Sequence, residues 1–261
     1  DLLRALNEVD GIRWIRPLYN HPVRFNNELI QTIAGLEHIC NYIDMPLQHI
    51  SDHMLTAMNR EIKQKETRDL LDRIRSRIPE VTLRTTFIVG FPGETDQDFD
   101  ALYDFVGDTR FDRVGVFIYS QEEHTPAAGY VDQIPDEVKT ERYNRLMALQ
   151  RSISLERNQH FIGRSIPVLI DEADDENGNA VGRTEADAPE VDNEVLLTGD
   201  GLTSGAFVQA TITDAVEYDL VGRVIDATAV GREQSGDKRR RSHPAVFIRD
   251  PFKQVVIESI P

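Results

Sequence analysis

The chain has 261 residues, 40% of them apolar, enough for one large or two modest domains with a real core. Its 29 basic residues stand against 45 acidic ones, and a net charge of −16 argues against a general binder of the phosphate backbone, whose affinity rests on Lys and Arg. No run of about 18 apolar residues exists to span a membrane. A halophilic source or a basic partner would each account for the acidity. Cys40 is the one cysteine, which excludes an intramolecular disulfide and a self-contained Cys-ligated metal cluster and favours a reducing, cytoplasmic setting.

The opening "DLLRALNEVD" places Leu2, Leu3, Leu6 and Val9 at helical spacing, with neither a Met nor a basic n-region. It reads as the interior of a longer protein. Residues 11–19 follow as a strand, then a helix over 26–35, a strand over 41–48 and helices near 51–58 and 67–77. Residues 81–90 are predicted as a strand, 95–108 as a helix and 113–120 as a fourth strand. Alternation at this spacing implies right-handed crossovers and a parallel sheet. Ser51 with Asp52, and Thr95 with Asp96 and Asp98 behind it, supply helix-start signals. A long helix is predicted from Pro135 to about Phe161, with Leu146, Leu149, Ile153 and Phe161 in phase. Beyond Gly163 the texture changes to short β-branched runs at 166–171, 194–199, 207–215 and 220–225, separated by Gly, Asn and Asp. That pattern predicts a small antiparallel barrel or sandwich. Residues 227–261 carry "KRRR" (238–241) and form a tail of unknown role in which "AVFIRD" and "QVVIES" can pair as strands.

The stretch "RTTFIVGFPGET" (84–95) joins a strand to a helix through a Gly-Pro-Gly turn. It lacks the Lys and the spacing of a P-loop, and Gly90–Gly93 does not supply GxGxxG, so phosphate cradling is excluded. The strand is more informative than the turn. Leu83, Thr85, Phe87 and Val89 share one side, and Arg84, Thr86, Ile88 and Gly90 the other. The strand at 41–48 divides into Ile43, Met45 and Leu47 against Tyr42, Asp44, Pro46 and Gln48. The fourth divides into Val114, Val116 and Ile118 against Gly115, Phe117 and Tyr119. Three successive strands with one apolar and one mixed face suit a partial barrel whose interior holds a ligand. A core of satisfied polar residues in an ordinary α/β sheet fits the same pattern.

Three long stretches, "YIDMPLQHISDHMLTAMNR" (42–60), "LRTTFIVGFPGETDQDF" (83–99) and "RFDRVGVFIYSQEEHTPA" (110–127), resemble the radical S-adenosylmethionine (SAM) methylthiotransferases. "RTEADAPEVD" (183–192) is similar to the branch that modifies a ribosomal protein. The likeness is collinear over roughly 1–226. It implies an α/β fold: part of a (βα)6 radical-SAM partial barrel over 1–160, a small OB-like TRAM β-barrel over 161–226, and a tail over 227–261. The family reaction replaces a C–H on the β-carbon of an aspartate in small-subunit ribosomal protein twelve with C–SCH3. One 4Fe-4S cluster cleaves SAM to a 5′-deoxyadenosyl radical, a second takes part in sulfur delivery, and an electron donor supplies the cluster.

The resemblance places Gln48, Arg84, Thr86, Ile88, Gly90 and Phe117 against SAM. Ile88 and Gly90 give a flat apolar contact, and Arg84 suits a carboxylate. Glu94 is expected to cap the turn and the following helix. No catalytic residue and no metal ligand is assigned. The CxxxCxxC loop is absent, Cys40 lies outside that motif and reads as a small buried hydrophobe, and the chain by itself is expected to hold no cluster and to be inactive. His49 and His53 lack a third ligand and read as ordinary surface or capping histidines. Glu122 and Glu123 follow the fourth strand, where they can meet a basic substrate loop or stay solvated. A sister branch modifies adenosine in transfer RNA. Residues 161–226 hold fifteen Asp and Glu against Arg164, Arg183 and Arg223, a net of −12, which repels phosphate and attracts a basic ribosomal protein. A non-catalytic ribosomal-protein binding module is the remaining alternative.

Overall fold

The computed structural model describes residues 1–174, 177–226, 246–250 and 253–259. "KRRR" lies outside the described residues. The chain divides into two compact units, Asp1–Leu18 with Thr32–Tyr42 and Ser154–Pro261, and Tyr19–Gln31 with Ile43–Ile153.

In the first unit, α1 (Leu2–Asn7) leads into β1 (Ile12–Leu18). None of the leucines of α1 is fully buried. The 41–48 run has its regular part in β2 (Tyr42–Asp44). Expected in the parallel sheet, β1 touches the residues before β2 by a single parallel bridge, Ile15 to Ile39. Ile15 N donates to His38 O at 2.7 Å and Cys40 N to Ile15 O at 2.9 Å. Pro17 carries no N–H to extend that ladder. The barrel strands are β5 (Ser165–Asp174), β6 (Asn179–Arg183), β7 (Val195–Thr198), β8 (Phe207–Ala215) and β9 (Leu220–Asp226). They close in the order β5-β6-β7-β9-β8. Its pairs are antiparallel except β7 with β9, a departure from the antiparallel expectation. Alternate residues fill the interior, among them Val168, Ile170, Val195, Leu197, Val208, Ala210 and Ile212. Beyond it, β10 (Val246–Asp250) and β11 (Lys253–Ser259) pair antiparallel, and β11 pairs antiparallel with β1.

The second unit is a parallel α/β layer. β3 (Thr82–Val89) lies between β2 and β4 (Arg113–Ile118) in the sheet. Around it run α2 (Asn27–Gly35), α3 (Asp52–Ala57), α4 (Gln64–Arg77), α5 (Asp96–Thr109) and α6 (Asp136–Gln159). On β3, Leu83, Thr85, Phe87 and Val89 are buried while Arg84, Thr86 and Ile88 are half-buried. The period of two thus assigns one face to the helices and one to the open side. Phe87, Phe105 and Phe111 meet edge-to-face, with centroids 5.6–6.3 Å apart. The helix α4 buries Leu70, Leu71 and Ile74 at helical spacing.

Expected over 41–48, β2 is regular only to Asp44 because Pro46 has no N–H to donate. The Thr85 hydroxyl repairs the gap, donating to Met45 O at 2.9 Å and accepting from Leu47 N at 3.3 Å. Tyr42, Ile43, Asp44, Met45 and Leu47 are all buried, so this strand does not show the expected apolar and mixed faces. No helix among the described residues is long and apolar enough to cross a membrane.

The open face of the sheet and its carboxylate-braced turn

The face opposite the helices is built by register. Thr86 pairs with Gly115 and Ile88 with Phe117, so these four side-chain positions are neighbours. Phe117 is 62% exposed, an unusual state for a sheet phenylalanine. A Cβ on Gly115 would lie 3.6 Å from Thr86 Oγ1 and 3.9 Å from Phe117 Cε2, so the glycine leaves a shallow cradle between them. Gln48 joins β3 from the other side: its N–H donates to Thr86 O at 2.8 Å and its carbonyl accepts from Ile88 N at 2.9 Å. Its backbone is left-handed, φ 72°, which costs a non-glycine residue about 1 kcal/mol or more. Its Oε1 is buried without a hydrogen-bond partner.

At the polar end, Arg84 Nη1 donates to Asp44 Oδ1 at 2.7 Å. Asp44 Oδ2 accepts from Tyr19 N at 2.9 Å. Arg84 is therefore a guanidinium fixed by a buried carboxylate. Gly90 has φ +72°, and a Cβ there would lie 2.3 Å from Lys139 Cγ. Its missing side chain thus makes room for the stem of a helix lysine, as well as permitting the turn. Phe91 closes the turn beneath, packing edge-on against Tyr119 at 5.1 Å and Tyr130 at 6.2 Å.

Glu94 braces the turn without capping α5. Its Oε1 meets His49 Nε2 at 3.1 Å, and its Oε2 accepts from Gly90 N at 2.7 Å and Arg142 Nη1 at 2.6 Å. The helix is capped by Thr95, in a capping box with Asp98. Burial works to raise the Asp98 carboxyl, but hydrogen bonds from Ser51, Thr95 and His53 outweigh it and hold it well below the usual carboxylate range. Burial likewise opposes the charge on Arg142, yet Asp96 and Glu94 raise its affinity for the proton above that of an ordinary guanidinium. The two histidines have separate acids: His49, fully buried, meets Glu94, and the exposed His53 meets Asp98 at 3.0 Å. His49 is therefore a core residue and not the surface or capping histidine expected. Arg142 escaped the sequence reading, although its position in phase with Leu146 and Ile153 marks it as a cation on an inward-facing stripe. Glu122 and Glu123 are both exposed, and Glu122 accepts from Ser120 Oγ at 2.8 Å.

Comparison with known proteins now adds to this geometry. Residues 2–106 match the radical SAM superfamily and residues 162–225 the TRAM domain. The ribosomal protein uS12 methylthiotransferase RimO of Syntrophotalea carbinolica is 49% identical over 226 residues, covering 86% of this chain and 50% of that protein. Its counterpart in Heliobacterium modesticaldum is 46% identical over 225 residues, covering 86% and 49%. The chain thus carries a radical SAM region followed by a TRAM domain, and over both it is similar to the methylthiotransferases. It spans about half the length of the curated relatives it matches. Among solved structures, the radical SAM enzyme coproporphyrinogen III oxidase (HemN) of Escherichia coli overlays on 51% of this chain and 31% of its own, at 19% identity and a TM-score of 0.43.

The family implies SAM and an iron–sulfur cluster, and the residues treat the two differently. The orphaned amide oxygen of Gln48 and the cradle over Gly115 fit a polar ligand with a flat apolar part. The cluster does not fit this chain. Its one cysteine, Cys40, is buried in an apolar cluster with Trp14, Tyr42 and Phe207, and iron–sulfur centres need several thiolates.

Proposed function

We propose that the protein to which this chain belongs methylthiolates the β-carbon of an aspartate in ribosomal protein uS12, working in the cytoplasm where its substrate is found. In this reading residues 1–160 are the radical-SAM part, 161–226 the TRAM domain and 227–261 a tail. The observation that carries it is the continuous match, near half identity over 226 residues, that runs through both parts to relatives named as ribosomal protein uS12 methylthiotransferases. SAM, when bound, supplies the hydrogen-abstracting fragment and the methyl of the transferred group.

The chain's own residues seat and shield that cofactor. Ile88 and the bare backbone at Gly115 offer a flat apolar surface, and Gly90 shapes the turn beyond it around the Lys139 stem. Phe117 walls the open side against water. Gln48 Oε1 accepts a hydrogen bond from a ligand N–H or O–H, which relieves a buried unpaired acceptor. Thr86 adds a hydroxyl, and Arg84, held by Asp44, gives the polar end a fixed cation. The TRAM domain, fifteen acids against three arginines over 161–226, attracts the basic ribosomal protein and disfavours transfer RNA. The thiolates for both 4Fe-4S clusters fall to residues outside 1–261. The 261-residue chain alone therefore shows no iron–sulfur absorbance and no turnover.

The test is the full-length reconstituted protein with methyl-labelled SAM and, separately, uS12 and transfer RNA. Label on an aspartate of uS12 is the expected result, and label on transfer-RNA adenosine would overturn the substrate assignment.

A further inference from the structure

One buried carboxylate ties together the ends of two strands that carry the open face. Glu94 is 2% exposed, and its carboxylate has three hydrogen-bond partners, His49, Gly90 and Arg142, whose Nη1 also reaches the Glu94 carbonyl at 3.1 Å. His49 immediately follows Gln48, and Gly90 lies two residues beyond Ile88. Ser51 N donates to His49 Nδ1 at 3.0 Å, which leaves the proton of the neutral ring on Nε2, directed at Glu94. The carboxylate thus holds Gln48's neighbour through a side chain and the end of β3 through a backbone amide.

This arrangement is more than a turn or a helix start requires. The helix already has its cap in Thr95 and Asp98. The turn has its own backbone bonds, Glu94 N to Phe91 O at 3.0 Å and Gly93 N to Asp132 O at 2.8 Å. Burying a carboxylate carries a desolvation cost that only its partners offset. What the network adds is rigidity at Gln48, whose left-handed backbone is held against its intrinsic preference, and at Gly90, whose amide is aimed inward. Functional sites are where such strain is retained by surrounding structure.

We propose that Glu94 is a positioning residue for the SAM seat: through His49 and Gly90 it fixes the backbone that presents Gln48 and Ile88 to the cofactor, and Arg142 from α6 neutralises it there. The proposal rests on the assignment of the open face to SAM. It extends that assignment to three residues, Glu94, His49 and Arg142, that do not touch the face.

The test measures SAM dissociation by equilibrium dialysis, together with the melting temperature, on the full-length protein. Glu94→Gln keeps an acceptor for Gly90 and is expected to weaken SAM binding about tenfold, the scale of one lost charge-assisted hydrogen bond. His49→Asn keeps an acceptor for Ser51, loses the link to Glu94 and is expected to weaken binding likewise, which covers the case in which Glu94→Gln does not fold. Asp98→Asn is the control, since it damages the cap of the same helix start and is expected to lower the melting temperature while leaving SAM affinity within about twofold. Variants of Glu94 and His49 that bind SAM as the wild type does, or that lose affinity only in step with the melting temperature, would overturn the positioning role. A wild-type protein that does not bind SAM would overturn the functional reading itself, and the proposal with it.

Discussion

The turn at 90–98 and the loop at 183–192 make an instructive pair, because in sequence both are acidic motifs of the kind that suggests a ligand. In the first, Glu94 and Asp98 turn inward to His49, Arg142, Ser51 and Thr95. In the second, Asp187 accepts from Thr184 Oγ1 at 2.6 Å, and Asp192 accepts from Tyr42 Oη at 2.5 Å and Ala188 N at 2.9 Å. Glu185 accepts from Asn41 N at 2.6 Å, and the loop carbonyl of Glu185 receives the fully buried Arg16 at 3.1 Å. Trp14 against Phe207, edge-on at 4.7 Å, completes the fastening of the barrel to the first strands within that unit. Both motifs spend their acids on internal structure. They differ in what the bracing serves: the turn stiffens the edge of an open, mixed face, whereas the loop seals a closed apolar cluster. A count of acids therefore overstates what either motif offers to a partner, and the ligand signal lies in the unpaired amide oxygen of Gln48 and the cradle at Gly115.

The strongest way to break this comparison is Arg142→Met, which leaves Glu94 charged in the core without its cation. It is expected to destabilise the chain by about 3–5 kcal/mol in a urea melt, and adding Glu94→Gln should recover part of the loss. Tyr42→Phe acts on the other loop, where Asp192 keeps Ala188 N, and should cost about 1–2 kcal/mol with SAM affinity unchanged. The smallest effect is in acid. The folded-state carboxyl of Asp98 titrates below its ordinary range, so its stabilisation is complete above about pH 4 and is lost as pH falls through the lowered value. Wild type minus Asp98→Asn stability, measured from pH 7 downward, should be flat to about pH 4 and shrink only below it.

Much of the sheet was legible because local pattern and tertiary role agree there. The alternation on β3, the Thr95 capping box and the long helix from Pro135 follow directly from residue type and spacing. The misses have physical causes. β6 contains Gly182, which reads as punctuation, yet a Cβ there would lie 2.4 Å from Leu169 O, so the glycine is a close approach between paired strands. β1 pairs with β11, more than 230 residues away, and no local period records a partner that distant. β2 stops at Asp44 because of Pro46, a signal that was present and outweighed by the apolar run around it. In the site, the face residues were visible from alternation, whereas the Glu94 network was not, because only the fold brings His49 and Arg142 to one carboxylate.

The assignment of the open face to SAM is tested most directly by SAM binding to full-length wild type and Gly115→Val. Gly115 lies in a strand with no left-handed backbone, so valine is accommodated there and the added methyls fill the cradle beside Thr86 and Phe117. The account predicts a folded variant with an unshifted melting temperature and SAM affinity reduced at least about tenfold. A folded Gly115→Val protein that binds SAM as tightly as wild type would contradict it.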